Sequence, residues 1–524
     1  MSKQSKQGIL SYRIEEDGAN LNLTGLAGLA PYVDLSAAQL WQAGLIVASG
    51  LMGSIRRNLC IRAGEQGWTD EQIVTALILL NLAGGDCVDD LDRLESDEGL
   101  GKLVGCLEKS GLPRRIRRQM KKRWRKDRKR SIASASAARR YLSAFHDEDQ
   151  EKLRMPGKAF IPKANDNLRG LYRINADLLK FVDSIAQSII ATLDLDATVI
   201  ETWKKEALYC YKHYPAYQPY NIWWAEQEMM LISEFRDGNV PAGYDQLRVL
   251  KEGLSYLPKG VKVVRVRSDT AGYEHKLLRY CESAQNKRFG RIEFAISCDV
   301  SWEFKEAVSK VAESEWQPVY KEVEGKQIKT GREWAEVCFV PEAIGRSMKS
   351  PEYRYMATRE ALANRPLCGM QDMQPTLPFQ TMTWKSVTYK VFGVVTNMDW
   401  DGEKIIRFHD GRCGKSEEAH KVLKEDFAGG KMPSAKFGAN AAWWQIAILA
   451  MNLSSVMKRL VLGGSWSNKR MKAIRFKIIC VPGRIIEKGR QVYLRLRRGH
   501  EALGLLIGMR EQIAKMAWSP PAGA

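Results

Sequence analysis

Three acidic residues lie far apart in the chain, each in a context suited to a metal-bound carboxylate. They are Asp196 in Leu193-Asp-Leu-Asp-Ala-Thr198, Asp269 in Val264-Arg-Val-Arg-Ser-Asp-Thr-Ala-Gly-Tyr273, and Glu417 in Gly411-Arg-Cys-Gly-Lys-Ser-Glu-Glu-Ala-His-Lys-Val-Leu-Lys424. The first two end apolar, strand-like runs, and the third opens a helix. Brought together by a fold, three such carboxylates can hold two divalent ions for cutting and joining phosphodiesters. Asp194 alternates with Asp196 and shares its face of the strand. Either could be the ligand; Asp196 is preferred because it stands at the strand end. Lys424 follows Glu417 by seven residues, two helical turns along, and Arg412 precedes it by five. Basic groups there would grip flanking phosphates and offset developing charge. The ordinary explanation is that acids at strand ends and helix starts serve as turn or cap residues. Three of them in this strand order make a more specific pattern. Cys413 with nearby His409 could suggest a thiol nucleophile, but that reading leaves both aspartates unused.

These residues need elements to carry them. Residues 1–170 read mostly helical: a helix to about residue 57, a Thr69-Asp-Glu-Gln72 capping box before the apolar segment 73–83, and a helix at 134–145. Pro156, Gly157 and Pro162 mark a boundary, after which the pattern becomes mixed α/β. Strand-like runs near 189–193, 199–211 and 222–235 precede a helix at 244–256 and a strand at 261–267, giving three strands, a helix and a fourth strand. Another strand at 291–298 and a helix at 302–311 follow. Residues 312–405 read β-rich, and 403–408 reads as a further strand after an Asp401-Gly402 hairpin signal. Helices at 415–427 and 437–461, a strand pair within 475–497 and a last helix at 501–516 complete the chain. The fold class is multi-domain α+β with a mixed α/β core.

Composition says what such a site would act on. The 524 residues carry a net charge of +20, which points to a polyanionic partner. Between Arg114 and Arg130, twelve of seventeen residues are Lys or Arg. The bland reading is a solvated arm; the functional one is a phosphate-binding segment along double-stranded DNA, with Arg117, Arg118, Lys121, Lys122 and Arg125 as contacts. Ten scattered cysteines form no Cys-x-x-Cys pair and the six histidines are dispersed, which argues against structural zinc and for oxygen ligands holding Mg²⁺ or Mn²⁺. The N-terminus lacks a signal-peptide pattern and the apolar stretches are too short or interrupted to span a bilayer, so a soluble, cytoplasmic protein without a membrane partner is expected. Trp302, Trp316, Trp334, Trp384 and Trp400 surround the β-rich stretch. Core packing is their usual role, and base stacking the alternative for one of them.

The chain resembles the bacterial insertion-sequence transposases with an Asp-Asp-Glu triad. Within them it is similar to the group whose ribonuclease-H-like domain is interrupted by a β-rich insertion before the Glu. Leu193–Thr198, Arg267–Tyr273, Arg412–Lys424 and the segment 426–444 carry the resemblance. In that group a Tyr-Arg-Glu-Lys pattern surrounds the last acid. Glu417 and Lys424 keep its spacing, Arg412 stands one residue further from the Glu, His409 or Phe408 occupies the Tyr position, and Glu418 is the alternative acid.

The resemblance implies that Asp196, Asp269 and Glu417 hold two Mg²⁺ (or Mn²⁺) ions per site, with Arg412, Lys424 and His409 on DNA. The enzyme would be an endonuclease that cuts at terminal inverted repeats and joins the ends to target DNA, without a covalent enzyme intermediate. Some relatives pass through DNA hairpins with a base flipped onto a Trp of the insertion. The implied organisation is a helical DNA-binding region at 1–170, a ribonuclease-H-like core at 171–311 and 406–465, a β-rich insertion at 312–405, and a DNA-contact or dimerisation region at 466–524. A homodimer is expected in the DNA complex because two ends must meet. The competing readings are a catalytically inactive, transposase-derived DNA-binding protein and a nuclease or resolvase that cuts without joining.

Overall fold

The computed structural model describes residues 12–16 and 40–516, apart from 63, 65, 111, 125–127, 324, 342–351, 363–379, 482 and 489–490. A first strand, β1 (Tyr12–Glu16), is followed by helices α1 (Leu40–Ala48), α2 (Leu51–Asn58), α3 (Asp70–Ala83), α4 (Leu91–Glu95), α5 (Glu98–Lys109), α6 (Arg114–Lys122), α7 (Ala135–Ser143), α8 (Glu148–Glu151) and α9 (Asp166–Ile185). The capping box forms at the start of α3: Gln72 N–H donates to Thr69 Oγ1 at 3.3 Å, and Thr69 N–H to Gln72 Oε1 at 2.9 Å.

Then come β2 (Ile190–Ala197), the short β3 (Ile200–Glu201) and β4 (Ala216–Tyr217), β5 (Tyr220–Trp224), β6 (Met229–Glu234), α10 (Gln246–Tyr256), β7 (Val263–Ser268), α11 (His275–Glu282), β8 (Glu293–Cys298) and α12 (Trp302–Ser309). The β-rich stretch holds β9 (Gln317–Val323), β10 (Lys326–Val337), β11 (Arg354–Ala361), β12 (Thr381–Trp384) and β13 (Val387–Thr396). Helices α13 (Gly402–Asp410), α14 (Lys415–Asp426), α15 (Phe437–Val456) and α16 (Met471–Ile474), the hairpin β14 (Gly483–Lys488) and β15 (Gln491–Leu496), and α17 (Ala502–Lys515) end the chain.

One sheet organises the molecule, in the order β6-β5-β2-β7-β8-β13-β11-β10-β9, with β12 beside β13. β2, β7 and β8 are parallel neighbours, while β5 runs antiparallel to β2. The carboxyl ends of β2, β7 and β8 therefore share one edge. The β-rich stretch extends this same sheet, because β13 pairs antiparallel with β8. Helix α15 is apolar on nearly every side because it is buried on nearly every side, between the sheet and helices α3, α7 and α9. It also covers the edge strand β6. Asn452 accepts from Met230 N–H at 2.8 Å and donates to its carbonyl at 2.9 Å, and Gln445 Nε2 donates to the Ser233 carbonyl at 2.6 Å. A strand edge that would otherwise invite pairing is closed by side-chain amides. At the other end, β1 pairs parallel with β15, and α1 packs on α17, so the two terminal segments form one layer.

Four sequence expectations change. The run 199–211 is no sheet strand. Ile200–Glu201 pairs with Ala216–Tyr217 and Tyr209 bridges to Pro215, which makes a small arch off the sheet, and the stretch 222–235 supplies a hairpin of two strands, β5 and β6. Residues 403–408 are helical because Asp401 acts as an N-cap, accepting from Glu403 N–H at 2.9 Å and Lys404 N–H at 3.4 Å. Gly402 is needed there for closeness: a Cβ would lie 2.0 Å from a ring carbon of Trp334. Residues 475–479 continue helically from α16 instead of opening a strand. Arg475 turns back onto the carbonyls of Asn81 and Leu82, both at 2.9 Å, a favourable place for a cation at the end of α3.

Candidate active site

Asp196 and Asp269 stand at the shared carboxyl edge of the parallel strands. β2 ends one residue after Asp196, and β7 ends at Ser268. Asp269 N-caps a single 3₁₀ turn, accepting from Ala271 N–H at 3.0 Å. Gly272 lets that turn fold back tightly, since a Cβ there would lie 2.4 Å from the Ser268 Cβ. Glu417 occupies the first turn of α14, whose amino end faces the same place. Ser416 Oγ of that turn donates to Asp196 Oδ2 at 3.4 Å, Arg412 Nη1 lies 3.6 Å from it, and His420 Nδ1 lies 3.8 Å from it.

Electrostatics ties the three acids together. Burial pushes the Asp196 carboxyl up to about 6, the charges of Asp269 and Glu417 push the same way, and Arg412 opposes them. Asp194 differs. Its buried carboxylate is held by Arg267 through two bonds of 2.6 and 2.8 Å, directly across the register from β2 to β7. Arg267 also donates to the Phe408 carbonyl at 2.8 Å. Asp194 is thus occupied by a structural ion pair, while every side-chain contact of Asp196 is long.

A hydrogen-bond chain behind Asp196 escaped the sequence reading. The Trp444 indole N–H donates to Ser233 Oγ at 2.7 Å, and Ser233 Oγ donates to Asn221 Oδ1 at 2.6 Å. Asn221 Nδ2 lies 3.0 Å from His420 Nε2. An indole can only donate, which leaves the Ser233 hydrogen free for Asn221 Oδ1, and with that oxygen on Ser233 the Asn221 amide N–H faces His420. The hydrogen-bond pattern therefore assigns the ring hydrogen of His420 to Nδ1, toward Asp196. Burial, helped by Lys424 and Arg412, pushes this imidazole down to about 3, so it is neutral. His420 was detectable, because it lies three residues beyond Glu417 on a helix.

The other predicted contacts fall into three groups. Arg412 sits at the site, nearly covered, with its Nε buried and without a protein partner. Lys424 is half-buried and donates to the Val199 carbonyl at 3.3 Å, just beyond β2. His409 does not face solvent: it is buried between Ser297 Oγ (3.1 Å) and the Ser268 carbonyl (3.2 Å), its imidazole pushed down to about 4 chiefly by burial. It braces β7 and β8 instead of presenting a surface for DNA. Arg117, Arg118, Lys121 and Lys122 are exposed on α6, while Arg125 lies outside the described residues. Trp124 is engaged within the protein, edge-on to Trp68 at 5.0 Å with Arg128 over both rings. Trp316 and Trp334 are buried, and cations cover Trp384 and Trp400. Of the five tryptophans considered, only Trp302 is open, at 73 %.

The donor chemistry fits a hard divalent cation. Three carboxylates from separate segments share a field that favours protonation of Asp196, and a cation would relieve it. Among the described residues no three His, Cys, Asp or Glu side chains already close around one point, so the set is an open edge and not a finished cage. Arg412 and Lys424 add positive charge beside it.

One family model covers most of the chain. The model of the family described as "Transposase DDE domain group 1" matches residues 61–518. Among solved structures, the cryo-EM structure of the piggyBac transposase synaptic complex with hairpin DNA is similar over 95 % of this chain and 88 % of that chain, at 10 % identity and a TM-score of 0.39. A comparison with curated proteins returns no match. The match spans most of the chain, including Asp196, Asp269 and Glu417, and the protein belongs to the DDE transposases of group 1.

Proposed function

We propose that this protein is an active cut-and-paste transposase of a bacterial insertion sequence, which cleaves DNA at terminal inverted repeats and joins the freed ends to target DNA. The observation that carries the reading is the placement of Asp196 in the field of Asp269 and Glu417 at one sheet edge. Asp196, Asp269 and Glu417 would hold the divalent ions, Mg²⁺ or Mn²⁺. Bound there, two such ions activate the attacking oxygen and stabilise the leaving one. Arg412, with its unpartnered Nε, would take a non-bridging oxygen of the scissile phosphate, and Lys424 would take a neighbouring phosphate. His420, held by Asn221, would orient Asp196. The strand order β6-β5-β2-β7-β8, with only β5 reversed, supports a ribonuclease-H-like core. The exposed basic face of α6 supports binding of the repeats by the helical region, in a homodimer that brings two ends together.

The test is Mg²⁺-dependent cleavage of DNA carrying the flanks of the coding sequence, comparing wild type with Glu417→Gln. Specific cutting and end joining by wild type, with binding but no cutting by the variant, is the expected result. Binding without cutting by both proteins would make the chain a transposase-derived DNA-binding protein. Cutting without joining would make it a nuclease.

A further inference from the structure

Between β2 and β5 the chain leaves the sheet and forms an arch. Its base is the β3–β4 pair, reinforced by backbone bonds from Thr202 N–H to Pro215 O (3.1 Å), Cys210 N–H to Tyr214 O (2.9 Å) and Ala216 N–H to Leu208 O (3.1 Å). Thr202, Ala207 and Cys210 turn inward and are buried. The aromatic rings turn outward: Trp203 is 84 % exposed, Tyr209 66 % and Tyr211 67 %. Among the described residues Trp203 is the most exposed large hydrophobic side chain. An indole normally covers most of its surface, and this one projects from a segment whose backbone is well bonded.

The arch starts at the candidate active site. It leaves β2 just after Asp196, and Lys424 of α14 ties the Val199 carbonyl down. Lys204 and Lys205 follow Trp203, and Lys212 lies over the Tyr211 ring at 5.6 Å. Glu201 and Glu206 offset two of the three lysines, so charge alone does not make a phosphate site. Open aromatic faces interleaved with amines are the pattern that binds single strands, with bases stacking on rings and amines tracking phosphates.

We propose that the arch between β2 and β5 is a contact for unpaired DNA at the catalytic edge, with Trp203 stacking on a base and Lys204, Lys205 and Lys212 on adjacent phosphates. It rests on the DNA reading given above and adds that strands are held open next to Asp196. The test uses the full chain in EDTA with an oligothymidylate about 12 nucleotides long, within the site sizes of such binders, carrying one central 2-aminopurine. Wild type should quench the 2-aminopurine on binding. Trp203→Ala should bind about tenfold more weakly and leave it unquenched at saturation, while Trp203→Phe keeps most of both, and affinity for a blunt duplex of the same length stays within about twofold. The exposure of Trp203 makes unfolding of the variant unexpected, and a thermal melt checks it. Independently, Lys204→Gln with Lys205→Gln should lower the slope of log affinity against log salt by about 1.4 for the single strand. Unchanged quenching and affinity in Trp203→Ala overturn the proposal and leave the ring for a protein partner. Equal weakening toward single strand and duplex overturns it too, since stacking is then not the mode. Because the binding assay contains no divalent metal, its outcome does not depend on catalysis: a wild type that shows Trp203-dependent quenching there but cuts no DNA in the Mg²⁺ assay would refute the catalytic reading and leave this one standing.

Discussion

Asp196→Asn should make the metal-free protein more stable, although it destroys the best candidate for a metal ligand. Burial and the charges of Asp269 and Glu417 outweigh Arg412 and the backbone N–H of Ala197, so the carboxyl sits at about 6 instead of the ordinary 3.8. At 1.36 kcal/mol per pH unit that difference corresponds to about 3 kcal/mol held against the folded state. Above about pH 6 the group is ionised both folded and unfolded, and the folded state bears the whole cost. As pH falls from about 6 to 3.8, the folded protein takes up a proton that the unfolded chain does not, and the cost fades. Stability from this group therefore falls as pH rises through that window. An uncharged amide of the same shape removes the cost, so urea denaturation in EDTA at about pH 8 should show Asp196→Asn more stable by about 2–3 kcal/mol. The gain should nearly vanish at about pH 4. Added Mg²⁺ should narrow the gap by stabilising only the wild type. A variant less stable than wild type at the higher pH, or a difference that ignores pH, would refute the electrostatic argument and with it the open acid cluster.

Neighbouring positions should respond differently. Arg267→Met leaves Asp194 buried and unpaired and should cost about 3–5 kcal/mol in the same denaturation assay, opposite in sign to Asp196→Asn two residues away from that acid. His420→Gln should leave the fold intact but raise the Mg²⁺ concentration needed for thermal stabilisation by about 10- to 100-fold; an unchanged titration would remove His420 from any positioning role. Replacing Arg117, Arg118, Lys121 and Lys122 together by Gln should lower the salt slope of duplex binding by about 3.6, at about 0.9 for each phosphate that is no longer neutralised, with melting temperature unchanged because all four are exposed on α6.

The legible residues in this chain are those whose role is set locally. The apolar runs before Asp196 and Asp269 read as strands, and alternation along β2 put Asp194 and Asp196 on one face. What separates those two acids is a partner on another strand, Arg267, and no spacing within β2 reports it. The capping box at Thr69 was legible because both of its bonds lie within four residues. Asp401-Gly402 shows the ambiguity of such local signals. Asp before Gly suits a hairpin turn and also a helix N-cap; here Asp401 caps Glu403 and Lys404 N–H, and the Gly is required instead by the distant Trp334, whose ring leaves no room for a Cβ at residue 402. The run 199–211 reads as a strand from its apolar content, but that content is divided: Ile200, Ala207 and Cys210 are buried while Trp203, Tyr209 and Tyr211 point outward. The chain from Trp444 to His420 is the extreme case. Asn221 and Ser233 are fully buried polar residues within mostly apolar strands, where an unpaired amide or hydroxyl would cost about 1–3 kcal/mol. That cost is the clue a sequence holds: a polar residue in the middle of an apolar strand needs a partner. Here the partners lie on α14 and α15, some two hundred residues away, and they converge on the histidine behind Asp196. Buried polar residues that are costly alone and satisfied only together mark the supporting side of the site, as the loosely partnered carboxylate of Asp196, beside Asp269 and the exposed Glu417, marks its open side.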